Sequence, residues 1–232
     1  IHTFHAGNIA ETRPPAGPAA EPWAPRATVG PRRKGEPFPP VSSPRGVHVT
    51  RRGQAGGAGR HRIRLFDDPA LRVPCEPVVT FDRSVRDLVK SLHQVMRAGP
   101  GRAGLAAPQL GVPLRVIAFD VDGRSGHLVN PRLEASGRRV VADEACLSAP
   151  GLWFPVERSF SVVARGRDMY GRPQVIRAIG MLARVLQHEV DHLDGVLFTD
   201  HLAPQDRERF FAAFAELTES GAAGRGRAVP ER

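Results

Sequence analysis

Residues 179–193, IGMLARVLQHEVDHL, repeat apolar side chains at helical spacing, and set among them is the pentapeptide His188-Glu189-Val190-Asp191-His192. Apolar positions recurring every three or four residues specify a helix, and the mostly apolar run 181–186 places that helix inside a fold. Two histidines four apart lie on one helix face, close enough to grip a single metal ion. The glutamate beside the first histidine can then take the proton of a water activated at that ion. The same pentapeptide also arises in helices with incidental histidines and solvated acids. The apolar run in front of it favours the metal.

The segments around this helix read as a mixed fold. Residues 81–98 place Val85, Leu88, Val89, Leu92, Val95 and Met96 at helical spacing and stop at Gly99-Pro100-Gly101. Strand-like stretches follow at 114–120, 126–129 and 160–164, separated by turns such as Asp122-Gly123 and Tyr170-Gly171. Pro204 opens a last helix through about Glu219, with Phe210, Phe211, Phe214 and Leu217 on its inward side. The expected class is α+β: short antiparallel sheets around a central helix, with flanking N- and C-terminal helices.

Two histidines hold a catalytic metal incompletely, since such sites usually show three protein ligands and one open position. In the longer pattern HExxHxxGxxH the third histidine would fall at residue 198, which is Phe198. His201, Glu208 and Glu216 are downstream candidates, and a zinc peptidase using one of them is a competing interpretation. Upstream, Cys146 offers a thiolate. A lone cysteine is ordinarily a small core residue, and Cys75 is expected to be one.

Three separated segments carry a more specific resemblance. Gly104-Leu105-Ala106-Ala107-Pro108-Gln109, Glu144-Ala145-Cys146-Leu147-Ser148 and Gln187-His188-Glu189-Val190-Asp191-His192 resemble, in order, the three signature motifs of peptide deformylases. Residues 71–78, LRVPCEPV, resemble an earlier strand of the same family. The likeness spans roughly residues 62–215. It implies hydrolysis of the N-formyl group from formyl-methionyl nascent polypeptides. Cys146, His188 and His192 would hold one divalent ion, Fe2+ by family habit, with Zn2+, Ni2+ or Co2+ able to replace it. The nucleophile would be metal-bound hydroxide and Glu189 the proton shuttle. The Gln109 amide and the Leu147 backbone N–H would stabilise the oxyanion. An apolar pocket for the methionine would draw on Gly104, Leu105, Leu152, Leu182 and Val185, with Arg184 at its rim or simply solvated. Glu144 would pair with Arg158 and brace the Cys146 loop, or stand as an ordinary surface carboxylate; Asp191 and Asp194 would be solvated helix acids or orient the histidines. Two positions depart from the pattern: Arg102 and Ala145 stand where the family usually carries glycine. Glycine permits close backbone approach, so both bear on substrate fit.

Charge divides the chain. Its formal net charge is +9, but residues 1–64 hold 11 basic against 3 acidic side chains, and residues 65–220 hold 19 against 20. The body is therefore nearly neutral, which weakens any argument from the overall charge to a nucleic-acid-binding fold. Sparse aromatics and the lack of an RNA-binding motif point the same way. Residues 1–61 are Pro-, Gly- and Arg-rich without apolar periodicity, and are expected to be a disordered basic extension. Residues 62–220 are the expected catalytic domain and 221–232 a disordered tail. The extension shows no run long enough for a signal core or membrane span. Two cysteines without a secretion signal suit a reducing, cytoplasmic setting. The expected partners are the nascent peptides and, transiently, the ribosome, with no membrane and no specific nucleic acid.

Overall fold

A computed structural model describes residues 62–219. The expected extension 1–61 and tail 221–232 lie outside the described residues.

The chain runs α1 (Arg83–Arg97), β1 (Gly104–Ala106), β2 (Val116–Val121), β3 (Arg124–Cys146), β4 (Ala149–Arg167), β5 (Pro173–Ile179), α2 (Gly180–Leu193) and α3 (Pro204–Glu219), with 3-10 turns at Pro69–Arg72, Ala107–Leu110 and Phe198–His201. All five strands form one antiparallel sheet in chain order. The class expected from the sequence holds. The strands, however, are not all short: β3 has 23 residues and β4 has 19. Three register shifts, after Val129, Ser136 and Ala145, interrupt their ladder and break the apolar alternation that would have revealed them. β1 and β5 also add strands to those read from the sequence.

Local chemistry sets the boundaries. Asp82 caps α1 by accepting from the Ser84 N–H at 2.8 Å. At the other end Arg102 folds back and donates to the Val95 carbonyl at 2.6 Å, satisfying one of the last acceptors of the helix. Asp122 and Gly123 both adopt positive φ, 50° and 76°, as a two-residue turn between β2 and β3 requires.

α2 packs through Leu182, Ala183, Val185, Leu186, Val190 and Leu193 onto Ile117, Phe119, Leu128, Val162, Ala164, Ile176 and Ala178. α1 packs through Val85, Leu88, Val89, Leu92 and Met96 onto Leu105, Val116, Ala118 and Val129. Side chains alternate along β2, so Ile117 and Phe119 face one helix while Val116 and Ala118 face the other. That is why the strand reads as a continuous apolar run. Cys75 lies in the α2 core and its backbone N–H bonds to Leu193 at 2.8 Å, the structural role expected of it.

A third core is largely aromatic. Phe210 and Phe214 of α3 pack with Phe66, Phe154 and Phe198, at ring-centroid distances such as 4.7 Å for Phe66–Phe210 and 5.4 Å for Phe198–Phe210. Phe211, expected on the inward side, is 44% exposed. It sits one residue, or 100° of helix, beyond Phe210 and touches Phe66 only at an edge. Among the described residues no helix is long and apolar enough to cross a membrane.

Phe210 is fully buried beneath five aromatic neighbours. Phe210→Ala should cost about 3–5 kcal/mol of stability, measured by denaturant unfolding, whereas Phe211→Ala should cost under about 1 kcal/mol.

Candidate metal centre

The helical spacing of His188 and His192 places their rings one turn apart, 5.0 Å between centroids and nearly perpendicular. The third group arrives from the sheet. β3 ends at Cys146, which pairs with Ala149 across the two-residue turn Leu147-Ser148. The ladder breaks just before it, between Ala145 and Cys146, and that irregularity re-aims the cysteine. Its Sγ lies 3.3 Å from His192 Nε2. One ligand atom from each of Cys146, His188 and His192 lies within 4.8 Å of the others, and all three residues are buried.

This set fits a tetrahedral metal. Metal–sulfur and metal–nitrogen bonds of about 2.3 and 2.1 Å imply a sulfur–nitrogen edge of about 3.6 Å, near the distance found. No other group of three His, Cys, Asp or Glu side chains among the described residues could hold an ion. The competing third ligands are elsewhere. His201 bonds to Asp191 at 2.8 Å, and Glu208 and Glu216 are exposed on α3.

Cys146 is prepared as a thiolate. Burial alone would raise its pKa, but the His192 and His188 rings outweigh that and hold it well below the ordinary thiol value. Besides the ring contact already given, two N–H groups point at the sulfur: the Ser148 backbone at 3.4 Å and the Gln109 side chain at 3.5 Å. Gln109 is itself oriented. Its Oε1 accepts from the Ala106 N–H at 2.8 Å, so its amide nitrogen must face Cys146 Sγ and Ser148 Oγ.

Glu144 organises the other side. Its carboxylate accepts from Arg158 Nε and Nη2 at 2.9 and 3.0 Å, from Arg184 at 2.7 Å, and from His188 Nδ1 at 3.0 Å. Burial would raise the Glu144 pKa, yet the His188 and Arg158 contacts hold it far below the usual carboxylate range. An ionised carboxylate can only accept, so Nδ1 of His188 carries the hydrogen and Nε2 is turned to the metal position. The expected Glu144–Arg158 pair is thus present, but it acts on His188 as well as on the Cys146 loop.

Three expectations are corrected here. Arg184 neither rims a pocket nor faces solvent. It is buried and also donates to the carbonyls of Val140, Ala142 and Val156. Asp191 holds Arg158 and His201, and Asp194 holds Arg115 at 2.6 Å; neither touches a histidine ligand. Glu144 does that work instead. The sequence did carry a signal, since Arg184, His188 and His192 recur every four residues on one face. Ser148 and Phe198 were not singled out for the site either. Ser148 bonds the thiolate and Gln109, and Phe198 stacks on His188 at 6.1 Å.

Glu189 faces the same space as the ligands. Burial pushes its carboxyl up to about 7, and its Oε2 has no hydrogen-bond partner among the described residues. Gly104 lies directly against it: a Cβ there would sit 2.3 Å from Glu189 Oε1 and 2.8 Å from Val185 Cγ1. The remaining residues assigned to the methionine pocket belong to different cores. Leu105 lies in the α1 core, Leu182 and Val185 in the α2 core, and Leu152 against the aromatic cluster. Leu147 packs beside the α1 core. Of the two departures, Arg102 is engaged with the end of α1 and Ala145 pairs with Trp153.

The chain matches the family model for polypeptide deformylases over residues 60–208. It is 49% identical over 168 residues to a peptide deformylase of Acidothermus cellulolyticus, covering 72% of this chain and 93% of that one. It is 44% identical over 131 residues to peptide deformylase 1 of Bacillus cereus, covering 56% and 83%. Among solved structures, a peptide deformylase from Legionella pneumophila superposes with a TM-score of 0.66 at 36% identity, covering 70% of this chain and 97% of that one. A plant peptide deformylase gives 0.67 at 32%, covering 77% and 100%.

Because Glu144 fixes the His188 ring by a charge-assisted bond, Glu144→Gln should weaken metal affinity roughly 10- to 100-fold, read by competition with a chelator. Cys146→Ala should abolish stoichiometric binding. Full occupancy in the cysteine variant would require a different ligand set.

Proposed function

The chain belongs to the polypeptide deformylase family, and from that premise we propose a division of labour among its residues for removing the N-formyl group from nascent peptides. The buried, mutually close triad of Cys146, His188 and His192, backed by Glu144, is the observation that carries this reading.

A divalent ion held by the triad would supply Lewis acidity, drawing the pKa of a water toward neutrality. The thiolate and two imidazoles suit Fe2+, Zn2+, Ni2+ or Co2+, and Fe2+ is the ion proposed for this chain. Glu189 takes the proton of the attacking water and later returns it to the departing amine. Its Oε2 has no hydrogen-bond partner among the described residues, and the Gly104 backbone leaves the carboxylate room. Gln109, its amide oriented by Ala106, donates to the oxygen that becomes anionic, together with the Leu147 backbone N–H. Gly104, Leu105, Leu152, Leu182 and Val185 are proposed to shape the methionine site, and of these Gly104 and Val185 lie nearest Glu189.

Residues 62–220 are proposed to be the catalytic unit, working in the cytoplasm on chains still at the ribosome. The basic segment 1–61 would contribute only electrostatic attraction to ribosomal RNA, which weakens steeply with salt.

Two outcomes test this. Glu189→Ala should keep its metal and lose several orders of magnitude in turnover on formyl-Met-Ala-Ser. In the parent enzyme the carboxylate must be ionised to act as base, so kcat/KM should fall on the acid side. The nearby cation favours ionisation, so that limb should lie at or below about 7. Turnover near the parent level in a metal-loaded Glu189→Ala protein would remove the assignment. A chain starting at His61 should match the full chain in melting temperature and in turnover on the short peptide. Loss of either would place the domain boundary further toward the N-terminus.

A further inference from the structure

The outer face of the hairpin that carries Cys146 presents an exposed indole. Glu144 and Cys146 point inward and are buried. Side chains alternate along a strand, so Ala145 between them points to the opposite face. Its cross-strand partner is Trp153, which shares that face and is 64% exposed, while the following residue, Phe154, is buried. A large apolar side chain left in water one ladder position from a metal ligand has no role in the cores of the fold.

The topology says what can reach it. β3 pairs with β2 only through Val129, and residues 132–146 pair with β4. The opposite edge of this last stretch has no strand partner among the described residues. Its Val140 and Ala142 carbonyls are taken by Arg184, and the edge beyond them leads to Cys146. β1 likewise pairs only with β2. Gln109 bridges from the turn after β1 to Cys146 and Ser148, closing the space at the metal end. An extended peptide can therefore lie along the β3 edge with its first residue at the metal. Such a peptide alternates like any strand. With the first side chain directed into the protein, the second falls on the outer face, across the small Ala145 from Trp153.

We propose that Trp153, reaching over Ala145, is a specificity-determining residue that packs on the second side chain of the substrate and favours large apolar residues there. This rests on the deformylase reading above and adds to it a contact outside the metal centre. Ala145 fits the assignment, since a longer side chain at that position would stand between the ring and the peptide edge.

The test compares formyl-Met-Phe-Ser, formyl-Met-Leu-Ser and formyl-Met-Gly-Ser with the metal-loaded full chain and with Trp153→Ala and Trp153→Phe. The parent should prefer Phe or Leu over Gly by roughly three- to tenfold in kcat/KM. Trp153→Ala should flatten that preference through KM, leave the Gly peptide within about twofold, and keep kcat. Trp153→Phe should restore part of the preference. The chain has two tryptophans, so in a Trp23→Phe background the Trp153 emission should shift to the blue with the product peptide Met-Phe-Ser and not with Met-Gly-Ser. A preference that survives Trp153→Ala, or an equal loss on all three peptides, would overturn the inference while leaving the deformylase reading intact. Failure of the parent to deformylate any of the three would overturn both.

Discussion

One buried carboxylate holds the site together. Glu144 is 5% exposed and lies among two guanidinium groups and an imidazole. Removing a carboxylate and its partners from water costs several kcal/mol per ion, and the attraction offsets this only when the remaining donors and acceptors are satisfied. Here they are. Arg158 binds both oxygens of Glu144 and passes its remaining arm to Asp191, while Arg184 spends its other hydrogens on three strand carbonyls. The network joins β3, β4 and α2, so the helix bearing the histidines cannot shift against the strand bearing the cysteine without stranding a buried charge. Removing any one member leaves the others uncompensated, which is why such a cluster tolerates single substitutions poorly.

The same constraint explains the shape of the sheet. A candidate three-ligand site drawn from one helix and one strand needs the strand to end where the helix face lies. β3 delivers Cys146 at the tip of a long hairpin, and the break before it turns the sulfur toward His192. β1 is only three residues long, yet it sets both Gly104 against Glu189 and Gln109 against the sulfur. The aromatic core under α3 finishes the enclosure by laying Phe198 on the His188 ring. Packing far from the chemistry thereby limits the freedom of a ligand.

The two departures from the family pattern behave differently. Arg102 is absorbed locally. Its guanidinium seals the end of α1, and Gly99 beside it leaves the space, since a Cβ there would stand 2.9 Å from Arg102 Nε. Ala145 instead pairs with the exposed Trp153, on the face opposite the buried Glu144 and Cys146.

The candidate metal-binding face was legible in the chain alone, because helical periodicity fixes which side chains share a face whatever surrounds them. His188, Glu189 and His192 could be assigned from a five-residue window, and α1 and α3 from their apolar spacing. Cys146 and Gln109 needed the resemblance of whole motifs, since no local rule brings residues 109, 146 and 192 together. The long strands were hidden because each register shift resets the alternation by which a strand is recognised. Arg184 was misjudged for a related reason. On a helix, an arginine four residues before a ligand can face solvent or a buried carboxylate with equal local propriety. Only the ladder that carries Glu144 under α2 decides between them, and that contact spans 40 residues of sequence.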